Sequence, residues 1–253
     1  MSLAVQAPCL QSLNLAFCSL LLDSGVQALA QLTSLADLNL AYCKWVSDDG
    51  VAALSTLTAL TALNLQGCCQ TAPHLGQGLT ALHCMPALAY LHLGSCKLKP
   101  QALSALAQLT HLTELSLRFC KGPLPSGLTA LSSLARLKHL DINGCLACTD
   151  ASLQCLHPLR CLRQLNIGFN RQLTDAALTP LTGLTQLHQL ALNNCPLMSE
   201  AALDLLLTAL PSLAKVTTTE SHDAEQLLFL HNKRVPTCYA NFPLPDPEQV
   251  VED

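Results

Sequence analysis

Five metal-ligating side chains crowd one short stretch of the sequence: Cys145, Cys148, Cys155, His157 and Cys161. The first two have the spacing of a zinc-binding pair, but a structural zinc site needs four converging ligands. Cys145 belongs to a regular row of cysteines described below, and Cys155 falls between two apolar helix positions. We therefore expect these side chains to point in different directions, and the sequence predicts neither a metal nor another cofactor.

Four side chains could act together as general acids and bases: His92, Glu114, His139 and Asp141. The repeat pattern described below puts them on an open sheet, where no pocket excludes water or shifts a pKa. The sequence also lacks a Gly-rich phosphate loop and a nucleophile elbow. We predict a protein that is not an enzyme.

The elements that carry these residues form an internal repeat. The pattern Leu-x-x-Leu-x-Leu/Ile-x-x-Cys/Asn occurs eight times, with successive starts 24 to 28 residues apart. Its alternating leucines predict a short strand with one apolar face. Because one coil cannot bury its leucines alone, neighbouring coils must stack. The eight copies begin at Leu10, Leu35, Leu60, Leu88, Leu112, Leu137, Leu162 and Leu187, and a degenerate ninth copy spans 213–216.

The second half of the repeat predicts a helix. A helix-opening acid is followed by apolar residues three and six positions later, and an acid suits the first turn of a helix. These acids are Asp23, Asp48, Asp150, Asp175 and Glu200. Hydroxyl side chains that precede four of them, at Ser47, Thr149, Thr174 and Ser199, are predicted N-caps. In two repeats Pro100 or Pro125 replaces the acid, and proline is equally suited to a first helical position.

The repeat resembles the cysteine-containing class of leucine-rich repeats, found in F-box/leucine-rich-repeat proteins and in the antagonist-of-mitotic-exit family. The segment 162–178, which ends Leu-Thr-Asp-Ala-Ala-Leu, carries the resemblance most clearly. Pattern and resemblance together predict an α/β leucine-rich-repeat solenoid, a horseshoe with a parallel concave β-sheet and convex helices. The resemblance is specific for the fold and weak for function, because the repeat is a scaffold.

Three regions follow from where the pattern holds. Residues 9–216 are predicted to form the solenoid, with eight full repeats and a degenerate ninth. Residues 1–8 are expected to be a truncated or partial N-terminal coil. Residues 217–253 are expected to be a C-terminal cap and an acidic, Pro-containing tail, since they hold seven acids against two basic residues.

Half of the fourteen cysteines are explained by the repeat. Seven occupy its ninth position, and Asn170 takes the eighth place, so these residues should share one task. We expect them to fill a tight bend and to hydrogen-bond neighbouring backbone as free thiols. Free thiols favour a reducing compartment, either the cytoplasm or the nucleus.

An open solenoid typically binds a protein on its concave sheet. Aromatic and arginine side chains are the usual anchors of interfaces, and several meet in the central repeats. One interpretation treats them as solvated sheet and rim positions; the other predicts a partner-binding set. That set is Tyr90, His92, Glu114, Arg118, Phe119, His139, Asp141, Asn143 and Phe169.

The predicted function is a scaffold for a protein partner of unknown identity. The alternative, raised by the resemblance, is the substrate-recognition part of an SCF-type ubiquitin ligase, with an F-box absent from this chain and a Skp1-like adaptor bound through a missing N-terminal region. A net charge of −4 with no Lys/Arg run argues against nucleic acid. No stretch of about 18 uninterrupted apolar residues predicts a membrane span.

Overall fold

The computed structural model describes residues 9–70, 75–122, 128–145 and 148–218. The chain divides into two units, 1–219 and 220–253, and the description below concerns the first. The predicted N-terminal coil at 1–8, nearly all of the predicted cap and tail at 217–253, and the predicted helix position of Pro125 lie outside the described residues. The domain boundaries therefore stay a prediction.

Nine strands of three residues each form one parallel sheet, in the order in which they follow along the chain. Each strand pairs with the next in register, so that Leu38 of the second strand lies between Leu13 and Leu63. The degenerate ninth repeat continues this register through Leu190 and Val216, which confirms the predicted solenoid. The strands are β1 (Ser12–Asn14), β2 (Asp37–Asn39), β3 (Ala62–Asn64), β4 (Tyr90–His92), β5 (Glu114–Ser116), β6 (His139–Asp141), β7 (Gln164–Asn166), β8 (Gln189–Ala191) and β9 (Lys215–Thr217).

Helical segments return the chain behind the sheet. The α-helices are α1 (Asp23–Leu29), α2 (Asp48–Ala53), α3 (Pro100–Leu106), α4 (Asp150–Leu153) and α5 (Glu200–Ala209). The 3₁₀ helices are Leu54–Thr56, Gln77–Cys84, Leu128–Ser133, Gln154–Leu156 and Asp175–Gly183. Pro100 is the first residue of α3, as predicted.

The helix predicted at Asp175 is present, and it is 3₁₀ throughout. Pro180 lies inside it. Proline has no N–H to donate, and its ring clashes with the carbonyl of the fourth preceding residue in an α-helix. The spacing of the apolar residues is shared by both helix types and did not distinguish them.

The helix-opening acids have a second role that the sequence did not reveal. Asp175 accepts the backbone N–H of Ser199, one coil further on, at 2.6 Å and its hydroxyl at 2.7 Å. Asp150 binds Thr174 in the same way, at 2.8 and 2.6 Å. The hydroxyl of Ser199 also accepts the N–H of Ala202, which confirms it as an N-cap. Each such acid therefore links its coil to the start of the next helix.

The ninth repeat position forms a continuous internal row. The thiols of five cysteines donate to the backbone carbonyl of the preceding coil at 2.9–3.1 Å: Cys43, Cys68, Cys96, Cys120 and Cys145. Asn170 continues the row by donating from Nδ2 to Ile142 at 3.0 Å and to Ile167 at 2.8 Å. The shared task predicted for cysteine and asparagine is confirmed.

The core lies between the sheet and the helical segments and is built mostly from leucine, with cysteine as its second most common residue. Leu38, Leu60 and Leu65 are typical of it, each with no exposed surface. Among the described residues, no helix has both the length and the apolar character needed to cross a bilayer.

Candidate partner-binding surface

The outward face of the sheet carries three rows of side chains that run across the strands. The first and third residues of each strand supply two rows, and the residue two positions after the strand supplies the third. Strand register brings Tyr90, Glu114 and His139 together in the first row and His92 and Asp141 into the second. The structure thus collects most of the predicted partner-binding set on three neighbouring strands, β4 to β6.

Asparagines dominate the second row, but their side chains serve the backbone. The Oδ1 of Asn39 accepts the N–H of Ala41 at 2.9 Å, and Asn64 accepts that of Gln66 at the same distance. Asp141 of the predicted set does this too, accepting the N–H of Asn143 at 2.9 Å. Each side chain satisfies a backbone donor just after its strand, as asparagine and aspartate commonly do in turns. This row therefore has a structural role that the sequence interpretation missed.

Glu114 and His139 form an ion pair on adjacent strands. Their Oε1 and Nδ1 atoms are 2.6 Å apart, which is the distance of a strong charge-assisted contact. Glu114 is only 8% exposed, whereas the imidazole keeps nearly a third of its surface. The pair orients a partly exposed imidazole toward the outside of the sheet.

Arg118 and Phe119 form the second feature of the central repeats. The guanidinium carbon lies 4.8 Å from the centre of the Phe119 ring, within the range of a cation–π contact. Phe119 is 42% exposed. Burial raises the pKa of Asp141, and the positive charge of Arg118 lowers it in part. The arginine therefore lies over an exposed aromatic ring, and its charge acts on the carboxyl group of Asp141.

Two buried polar atoms in this part of the surface have no hydrogen-bond partner. They are the Nε of Arg118 and the Oδ1 of Asn143, which is only 2% exposed. The Nδ2 of Asn143 donates to the Oδ1 of Asn166 at 3.2 Å, and that oxygen also accepts the N–H of Gly168. Because the Oδ1 of Asn166 accepts the N–H of Gly168, Asn143 must face that oxygen with its Nδ2 group. The Oδ1 of Asn143 is therefore the atom left without a partner. One unpaired donor and one unpaired acceptor therefore lie in neighbouring coils.

The residue before each ninth position adopts a left-handed backbone conformation. All eight have φ between 54° and 66°: Phe17, Tyr42, Gly67, Ser95, Phe119, Gly144, Phe169 and Asn194. Glycine and asparagine suit this conformation, but for an aromatic residue it is uncommon and costs about 1–2 kcal/mol. Strain of this kind persists where the surroundings over-determine the backbone. Here a turn hydrogen bond and an inter-coil hydrogen bond do so, as in Cys120 to Leu117 and Phe119 to Asn143.

The aromatic rings at these positions lie across the following coil. Phe17 and Tyr42 stack with ring centres 4.9 Å apart and planes 4° from parallel. Tyr42 in turn covers Gly67, where an added Cβ would approach its ring to 2.7 Å. Phe119 covers Gly144 in the same way. Phe169, the remaining member of the predicted set, is 38% exposed two coils beyond Phe119.

The predicted set lies on an open surface, away from the two depressions that the structure shows most clearly. Two surface depressions, of about 460 and 220 Å³, are lined by other residues, and neither includes a member of the predicted set. Within the described ranges, no three His, Cys, Asp or Glu side chains converge so that they could hold a metal ion. The thiols of Cys145 and Cys155 point at the carbonyls of Leu117 and Ser152, and burial raises the pKa of Cys155 to about 11.

Comparison with known proteins supports the fold. Residues 6–30 and 31–55 match the family model described as Leucine Rich repeat. The chain is 24% identical to internalin C2 from Listeria monocytogenes, with a TM-score of 0.63, covering 82% of this chain and 80% of that one. It is 22% identical to a leucine-rich-repeat protein from Leptospira interrogans, with a TM-score of 0.53, covering 75% of this chain and 44% of that one. No curated protein matches the chain. Parallel strands in one sheet, helices behind them and these neighbours identify the fold of the described chain as a leucine-rich-repeat solenoid.

Proposed function

We propose that this protein is a non-catalytic scaffold that binds a protein partner at the centre of the outward sheet face. The proposed surface, called the central patch, consists of the nine residues predicted from the sequence: Tyr90, His92, Glu114, Arg118, Phe119, His139, Asp141, Asn143 and Phe169. Leucine-rich repeats commonly act as interaction scaffolds, which supports the general function. The location of the surface and the nature of the partner are the proposal.

One observation carries the choice of the central patch. An exposed phenylalanine stacked on an arginine lies beside a buried donor and a buried acceptor that the chain itself leaves unpaired. A buried polar atom without a partner costs about 1–3 kcal/mol, so a partner whose binding lets these side chains turn outward and form hydrogen bonds recovers that energy. Aromatic and arginine side chains near the middle of a surface are the usual anchors of interfaces.

The double variant Arg118→Ala with Phe119→Ala tests the proposal. Affinity capture followed by mass spectrometry should show proteins that the unmodified chain retains and this variant loses. The matched control is Arg136→Ala with Leu205→Ala, which also removes one cation and one exposed apolar side chain, but away from the sheet face. Both variants should melt close to the unmodified chain. Equal capture by both double variants would refute the central patch.

The finer assignment to the cysteine-containing class of repeats is also part of the proposal. The thiol-to-carbonyl bonds of Cys43, Cys68 and Cys96 support it, because they give the ninth position the same role in successive coils. The role in an SCF-type ubiquitin ligase stays a prediction of the resemblance. Co-purification of the full gene product with a Skp1-like adaptor tests it. The reducing compartment predicted from the free thiols likewise stays a proposal.

A further inference from the structure

The edge of the sheet where the strands end carries a one-sided distribution of charge. The segment of each repeat at this edge runs from two residues before its ninth position to three residues after it. Six of the thirteen Lys and Arg residues of the chain fall in these short segments, and no Asp or Glu does. Arg118 belongs to the central patch; the other five, named here the basic rim, are Lys44, Lys97, Lys99, Lys121 and Arg171.

The repeat brings the members of the basic rim to the same edge. Lys44, Lys97, Lys121 and Arg171 all directly follow the ninth position of their coils. The backbones of Lys97 and Lys121 pair as neighbours in an isolated parallel bridge, which shows that adjacent coils keep this alignment beyond the strands. Lys44, Lys121 and Arg171 are exposed, and Lys97 and Lys99 are half-buried.

Aromatic rings are interleaved with these cations. The residues just before the ninth position include Phe17, Tyr42, Phe119 and Phe169, each held in the left-handed conformation. Three of these rings are 38–50% exposed. Their backbone is constrained on both sides by hydrogen bonds, so the rings form rigid apolar platforms that lose little entropy on binding. The edge therefore presents fixed aromatic surfaces flanked by positive charge.

We propose that the basic rim is a second interaction surface, fitted to an extended acidic segment of a protein partner that also carries apolar side chains. Charge complementarity identifies the acidic component, and the aromatic platforms identify the apolar one. Lys44 and Arg171 lie five coils apart, and a spacing of about 4.8 Å per strand gives about 24 Å between them. An extended chain of about seven residues spans that distance at about 3.3 Å per residue.

A peptide fits this surface better than a nucleic acid does. A single-stranded nucleic acid binds a strongly positive groove that follows its phosphates. Here the whole chain has an isoelectric point near 6.1 and a net charge of −4, so it lacks the strongly basic character that is typical of nucleic-acid-binding proteins. A short acidic segment needs only the few cations that the basic rim supplies.

Fluorescence anisotropy with three labelled probes tests the proposal. The first is a dodecapeptide of four Asp-Glu-Phe units, the second is its neutral Asn-Gln-Phe analogue, and the third is an oligothymidylate of twelve nucleotides. We expect the acidic peptide to bind most tightly and its binding to weaken as salt is raised. Absence of binding by the acidic peptide, or tighter binding of the neutral peptide or of the oligothymidylate, would overturn the proposal.

Charge reversal locates the binding site. Lys97→Glu with Lys121→Glu should weaken the acidic peptide about ten-fold, since each change removes an attraction and adds a repulsion. Arg136→Glu with Lys138→Glu is the matched control: it changes the net charge equally, but both residues are exposed at the edge where β6 begins. Equal weakening by the two pairs would overturn the rim assignment. The milder pair Lys97→Gln with Lys121→Gln should give an intermediate loss and guards against misfolding of the reversed variant. The central-patch variants are assayed on a different ligand, so either proposal can fail alone.

Discussion

Replacing Gly144 by alanine tests directly whether the aromatic rings lie over the following coil. Gly144 has φ of 65°, and a methyl group there would overlap two ring carbons of Phe119. The left-handed conformation alone costs an alanine about 1–2 kcal/mol. The ring must also move away, which sacrifices its contact with Arg118, worth about 0.5–1 kcal/mol. We expect Gly144→Ala to lower the free energy of unfolding by about 1.5–3 kcal/mol in urea denaturation.

A double-mutant cycle separates the two contributions. In a Phe119→Ala background the ring is gone, so Gly144→Ala should cost only the backbone part, about 1–2 kcal/mol. The resulting coupling of about 0.5–1 kcal/mol lies at or above the scatter expected for independent sites. If Gly144→Ala costs the same with and without Phe119, the ring does not lie over this glycine. Phe119 would then not form an aromatic platform over the next coil.

Two further substitutions test the links between coils. The N–H and hydroxyl of Ser199 lower the pKa of Asp175, so its contribution is present above the usual aspartate pKa of 3.8 and is lost as the pH falls through the lower folded value. Asp175→Asn should therefore lower the melting temperature at neutral pH, and its difference from the unmodified chain should shrink in acid; a difference independent of pH would contradict this. Asn170→Cys should stay within about 1 kcal/mol of the unmodified chain in urea denaturation, because it loses one hydrogen bond but also removes a buried Oδ1 that has no partner. A much larger loss would show that asparagine and cysteine are not interchangeable in this row.

The sequence predicted which residues of the site lie next to one another. Once the leucines define the register, Glu114 and His139 must lie on adjacent strands, and the structure confirms this by their ion pair. The functions of individual side chains were less predictable. Asp141 looked like a contact residue, yet one of its oxygens serves the N–H of Asn143. A side chain that caps its own backbone and one that awaits a partner can have the same residue type and position.

The basic rim shows how a periodic signal can be present and still be overlooked. Lys44, Lys97, Lys121 and Arg171 share one repeat position, but the sequence contains no run of basic residues. These basic residues are about one or more repeats apart in the sequence, and the fold brings them to one edge. The charge of such an edge becomes visible only when the coils are placed side by side.

The sequence alone determined the architecture of this protein, because its leucine spacing repeats and each coil needs its neighbours to bury those leucines. It also determined where helices begin and which positions face the interior, since both depend on residues a few positions apart. The tertiary structure decided the rest: the links between Asp175 and Ser199, the left-handed aromatic residues that cover the next coil, and the unpaired atoms of Arg118 and Asn143. Each of these depends on the exact separation of atoms from different coils, and a pattern of residue types does not specify that separation.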